Sequence, residues 1–278
     1  MSLGDLTRIN TNIQSLQALN QLQKTNAEMG IRQLRLATGS RLNRAEDDSA
    51  SYSIAKKLEA KIRGQAQALA NIGDAKSMLT VGEGALNTVM DILQTMKEKV
   101  IQAANDTLSS DERTSIKNYL NELSAELQDT LDGAEFNGTA LFGSATVMLQ
   151  FQVGASSSDT FSVSIDPTSA SGLSVASTDL IVASAASAAA TLDNIDNAIK
   201  DVADRLAAIG DAQTRLTFKQ DNLSTSMTNY EAARSRIADA DFAKEQMEIV
   251  KLQILQQTGT AALAQANAAP QAVLSLFQ

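Results

Sequence analysis

The chain has 278 residues, a formal net charge of −9, no Cys, no His and no Trp, and only 4% aromatic residues. The acidic balance excludes a nucleic-acid binder, which needs a basic face for phosphates. Missing His and Cys remove the commonest general base, metal ligand and thiolate nucleophile, so an enzyme is not indicated and no cofactor is expected.

"MSLGDLTRINTN" has neither a basic n-region nor an apolar h-region, so any export is expected to use a route without a cleaved leader. No apolar run reaches the roughly 20 residues of a membrane helix, and no membrane contact is expected. From Ile9 to Gln23 there is no charged residue, and Ile13, Leu16 and Leu19 form a helical stripe among Gln and Asn.

Glu46, Asp47 and Asp48 form the densest acidic cluster. Spaced carboxylates of the Asp-x-Asp-x-Asp-Gly kind are absent, so a cation loop is not indicated. A helix start, favoured by the dipole, is the better reading, with inter-subunit salt links to Arg41 or Arg44 also expected. Asp239 and Asp241 are read the same way.

Leu79, Leu86, Val89, Leu93, Met96, Val100 and Ala103 follow a heptad seam. Within it "GEGA" (82–85) lacks the Lys-Ser/Thr of a phosphate loop and marks a weak spot in the helix. "SSDE" at 109–112 is a capping-box pattern opening a helix with the stripe Ile116, Leu120, Leu123, Leu127 and Leu131. Gly133 is expected to close it as a left-handed cap. "VMLQFQV" and "TFSVSID" alternate with period two and predict a β-hairpin ended by Pro167. The Ser- and Ala-rich stretch beyond reads as a connector with weak or partial structure.

Steps of three and four through Leu192, Ile195, Ile199, Val202, Leu206, Ile209, Leu216, Leu223, Met227, Tyr230 and Ile237 give a seam of about six heptads, on the order of 70 Å long. After Lys251 no residue is charged. Met247, Val250, Ile254 and Ala261 form one stripe, with Leu252, Leu255 and Ala262 beside it, so this helix must be covered on more than one side. Two uncharged ends are expected to pair with each other and then against further copies of the chain. The fold class is mainly α: an elongated helical bundle or coiled coil with a small β-hairpin, plus paired N- and C-terminal helices. The expected domains are 1–46 with 239–278 as terminal helices, and 47–238 as the bundle, with the hairpin region at about 133–190.

Several stretches carry a family resemblance: "INTN" (9–12), "LATGSRLNRAEDDSASYSIAKKL" (36–58), "FNGTALF" (136–142), "FQVGA" (151–155) and, above all, "RSRIADADFAKEQMEIVKLQILQQTGTAALAQANAAPQAVLSLF" (234–277). Together they resemble a bacterial flagellin across essentially the whole chain. The resemblance implies a secreted, extracellular subunit, exported unfolded by a type III apparatus and polymerising through its ends into a hollow filament for motility. About fifty-eight residues (133–190) lie between the inner helices, too few for large outer domains, so a minimal form with two inner layers is expected.

The polymerisation core is then expected at Ile9, Ile13, Leu16, Leu19, Leu252, Leu255, Leu263, Val273, Leu274 and Leu276. The junction motif comprises Arg41, Asn43, Asp47, Asp48, Arg234, Arg236, Asp239 and Asp241, and Gln257, Gln265 and Asn267 are candidates for lining the channel. Implied partners are identical subunits, filament cap and hook-associated proteins, and an export chaperone at the C-terminal region. Two departures stand out. "MSLGDLTR" is a longer lead than the family's usual one, and Thr95 and Lys99 replace an Arg and a Leu of flagellins seen by the innate-immune flagellin receptor. Weak or no recognition is expected. A hook–filament junction protein is the alternative reading, and a soluble coiled-coil adaptor would leave the uncharged ends unexplained.

Overall fold

A computed structural model describes residues 11–143 and 145–274, with side chains as far as Ala268. Five long helices dominate: α1 (Ile13–Thr38), α2 (Ser49–Ala103), α3 (Ser110–Asp132), α4 (Ala185–Ala238) and α5 (Phe242–Leu274). The chain separates into two compact units. One holds the described residues up to Ala60 and from Asn229 onward, and the other is Lys61–Thr228.

Local chemistry sets the helix ends. Asn12 caps α1 by accepting a hydrogen bond from the Ser15 amide, and Gly39 closes it at φ 68°, where a side chain would be strained. Asp48 accepts from the amides of Ala50 and Ser51 at the start of α2. Ser109 and Glu112 form the predicted capping box on α3, each side chain bonding the other residue's amide. Gly133 differs from expectation: its φ of −74° is right-handed, and its amide instead bonds back to Asp129. Just beyond it, Asn137 and Gly138 are left-handed and turn a small hairpin of β1 (Glu135–Phe136) and β2 (Thr139–Ala140).

In the Lys61–Thr228 unit the seam residues of α2 are fully buried, and Leu120, Leu127 and Leu131 of α3 and Ile195, Val202 and Leu216 of α4 close on them. The predicted hairpin is β3 (Val147–Gln152) against β4 (Thr160–Ile165), antiparallel, with Leu149 opposite Val163 and Phe151 opposite Phe161. Phe161, Val163 and Ile165 face the core while Ser162 and Ser164 face out. The Ser/Ala connector has no regular secondary structure, yet it is better ordered than its composition predicts. Val175, Leu180 and Val182 are buried in the core. Its backbone is held by side chains: Ser124 Oγ donates to the Val175 carbonyl at 2.8 Å, and Thr191 Oγ1 bridges the Ile181 amide and carbonyl. A polar backbone without secondary structure can be buried only when such partners satisfy it.

Candidate functional site

The unit of chain ends is built on the pairing of α1 with α5. On α1, Ala18, Leu22, Thr25, Met29, Arg32 and Leu36 are buried or half-buried. On α5 the matching positions are Glu245, Ile249, Leu252, Gln256, Gly259, Leu263 and Ala266. Both sets step by four and three, the a/d spacing of a two-stranded coiled coil. The seam is narrow and unusually polar. Leu22 sits over Gly259, where an added Cβ would lie 3.4 Å from its Cδ1. Gln256 Nε2 donates to Asn26 Oδ1 at 2.8 Å, Asn12 Nδ2 to the Ala266 carbonyl at 2.7 Å, and Ser15 Oγ to Asn267 Oδ1 at 2.8 Å.

Further large apolar residues lie outside the seam. Leu16 and Leu19 on α1 are 52% and 40% exposed, and Ile31 and Leu34 continue that outer face. On α5, Met247, Val250, Ile254 and Leu255 are all exposed, Ile254 at 59%. The structure thus divides the residues expected in the polymerisation core. Leu252 is buried and Leu263 half-buried in the intrachain seam, and Ile13 is half-buried. Leu16, Leu19 and Leu255 point away from it. Ile9 and Leu276 lie outside the described residues, as do the side chains of Val273 and Leu274.

Below the seam the junction residues come together as a set of caps. The Arg41 amide and guanidinium donate to the carbonyls of Ala238 and Ile237 at 2.7 and 2.8 Å, closing the C-terminus of α4. Ser40 pairs with Asp239 as an isolated antiparallel bridge. Asp241 accepts from the Lys244 amide and caps α5. Asp47 accepts from the amides of Asn43 and Arg44, each at 3.0 Å, and pairs with Arg35. Those interactions, the Arg44 amide first, hold the Asp47 carboxyl below the ordinary range, and the Ser51 hydroxyl and amide do the same for Asp48. Asn43 Nδ2 ties back to the Ser40 carbonyl. Arg234 pairs with Glu231 at 3.5 Å, and Arg236 is exposed in the last turn of α4. The acidic cluster therefore serves as caps and a surface pair, Glu46 with Arg44 at 3.0 Å. No metal-binding group of acidic residues occurs among the described residues.

Sequence reasoning missed the central ion pair. Arg32 Nη1 donates to both carboxylate oxygens of Glu245 at 3.0 and 2.9 Å, and Arg35 approaches the same carboxylate at 3.9 Å. The Glu245 side chain is only 6% exposed. The signal was present as an Arg and a Glu at seam positions of two heptad patterns that are otherwise largely apolar. Of the channel candidates, Gln257 and Gln265 are exposed, while Asn267 is also exposed but engaged with Ser15. In the other unit, Thr95 Oγ1 bonds the Asp91 carbonyl, and Lys99 Nζ lies 5.9 Å from the Tyr119 ring centre. No described helix is long and apolar enough to cross a membrane.

Residues 9–146 match the profile of the bacterial flagellin N-terminal helical region, and residues 192–277 that of the bacterial flagellin C-terminal helical region. The chain is 37% identical over 305 aligned residues to a flagellin of Bacillus subtilis, covering 98% of this chain and 100% of that protein. It is 36% identical to a flagellin of Halalkalibacterium halodurans, covering 88% and 90%. Among solved structures, a flagellar hook-associated protein of Vibrio parahaemolyticus superposes with a TM-score of 0.60 at 18% identity, over 69% of this chain and 100% of that one, a likeness of fold.

Proposed function

The chain belongs to the bacterial flagellin family and is a structural subunit of the extracellular flagellar filament, not an enzyme; from that premise we propose that it assembles through the outward faces of α1 and α5. The observation that carries this reading is the placement of Leu16, Leu19, Ile254 and Leu255 on the surface, although the intrachain seam has already buried its own apolar residues, among them Met29, Ile249 and Leu252. A helix pair needs its largest apolar side chains buried, and each contributes about 1.5–3 kcal/mol when it is. Here that burial is left for other subunits. On this reading, segments 1–46 and 239–278 act as the assembly element and 47–238 as the bundle.

The same exposed stripe on α5 calls for cover before assembly, which supports an export chaperone at the C-terminal region during type III export of the unfolded chain. Filament cap and hook-associated proteins would meet the same faces at the filament ends. Gln257, Gln265 and Asn267 line the channel in this proposal, where a passing unfolded chain meets no fixed charge. Gln265→Lys should slow filament growth in cells without altering folding. Lys99, with its charge held beside Tyr119, and Thr95 predict weak signalling through the innate-immune flagellin receptor. Full potency of purified monomer on reporter cells would contradict this.

The test of the main reading is seeding: purified chain mixed with filament fragments and imaged by negative stain. Long helical filaments are expected, and persistent monomers would overturn the reading. The hook–filament alternative is less well supported, because the relatives that match nearly the full chain are flagellins.

A further inference from the structure

Beside α1 runs an open cleft of about 570 Å³. One wall is the outward side of α1, with Ala27, Gly30, Ile31 and Leu34; the other is the turn at 43–47. At Gly30 nothing lies within 4 Å of where a Cβ would stand, and Ile31 is 46% exposed, so the apolar wall has no cover among the described residues. The carboxylates of the cleft are already engaged, Glu46 by Arg44 and Asp47 by Arg35 and two backbone amides. Arg35 Nε is buried and has no acceptor. The cleft therefore offers an apolar wall, while Arg35 is turned to Asp47 and Glu245 inside the chain.

The same unit carries a matching feature. Phe242, the first residue of α5, is 66% exposed and does not line the cleft of its own chain. The exposed Asp239 precedes it by three residues. We propose that the cleft receives Phe242 of a second copy of this chain, its ring on Ile31 and Leu34. This rests on the self-assembly reading above and names a contact within it. Ring and cleft are different patches of one surface, so the contact is heterologous. Such a contact repeats from subunit to subunit, as a helical polymer requires. Aromatic side chains seated in desolvated pockets carry a large share of interface energy.

Because the native chain has no cysteine, introduced thiols report contacts cleanly. Filaments copolymerised from Leu34→Cys and Phe242→Cys chains should give, on oxidation, a disulfide-linked dimer at least tenfold above that of either variant alone. Mixed filaments without that dimer would overturn the contact. Independently, Phe242→Ala should raise the critical concentration for seeded elongation about tenfold and leave the thermal melt of the helical bundle unchanged, and Phe242→Tyr should restore growth. If the cysteine variants fail to enter filaments, the Ala and Tyr pair decides, and any pattern other than loss and rescue refutes the proposal. Should the native chain itself not extend seeds, the self-assembly reading falls; should native and Phe242→Ala grow alike, only this contact does.

Discussion

Glu245 carries its charge into a nearly closed site at the start of α5, so its stability depends on Arg32 and Arg35 being in place. Removing one partner of such a buried pair costs about 3–5 kcal/mol, because the other charge is left without compensation. Glu245→Gln and Arg32→Gln should each loosen the α1–α5 pairing, read as faster amide exchange at Leu252 in assembled protein. The double variant should lose less than the sum of the two. Strict additivity would mean that the pair is not coupled. A second residue-scale prediction concerns acid. The Asp47 and Asp48 carboxyls are held below their ordinary value of 3.8 by amides and hydroxyls that only the folded turn supplies. A depressed folded pKa stabilises above the unfolded value, and the gain is lost as pH falls through the folded one, here below about pH 4. Asp47→Asn with Asp48→Asn should therefore flatten the fall in melting temperature between pH 5 and 3, and an unchanged slope would contradict the assignment.

The long helices were legible from heptad spacing because a wide apolar stripe and its burial coincide, as at Leu86, Leu93 and Val100. On α1 and α5 they do not coincide. The eye follows Leu16 and Leu19, whereas the intrachain seam runs through Ala18, Leu22, Thr25 and Met29. A helix destined for several neighbours spreads its apolar residues over more than one face, so the stripe alone does not say which face pairs within the chain. The burial of the connector was not legible for a related reason: it depends on distant side chains such as Ser124 and Thr191. "GEGA" in α2 is likewise clearer in three dimensions. A methyl at Gly82 would meet Leu141, Phe142 and Ile209 at 3.6–3.7 Å, ordinary contact, and Gly84 faces open space. Gly82→Ala with Gly84→Ala should stabilise the bundle by roughly 1 kcal/mol per site through helix propensity. A rise in melting temperature by calorimetry is expected, and a fall would indicate crowding against Phe142. If these glycines also set curvature, the filaments should change supercoil in electron micrographs.

At the scale of the molecule, the two units differ in how completely they bury what their sequences supply. Lys61–Thr228 encloses a continuous core of α2, α3, α4 and the hairpin. The unit of chain ends buries few large apolar side chains, chiefly Met29, Leu42, Ile249 and Leu252, and leaves others of the same kind, such as Leu16, Leu19, Ile254 and Leu255, outside. Deleting residues 252–278 should accordingly abolish polymerisation while the bundle keeps most of its helicity by circular dichroism. A more selective measurement tests the central claim, that the outward faces of α1 and α5 hold subunits together. Leu19→Asp with Ile254→Asp alters two side chains that are exposed in the single chain, so the monomer's circular dichroism and bundle melt should match those of the native protein. Seeded elongation, followed by light scattering and electron microscopy, should be lost. Filament growth at the native critical concentration would contradict the account.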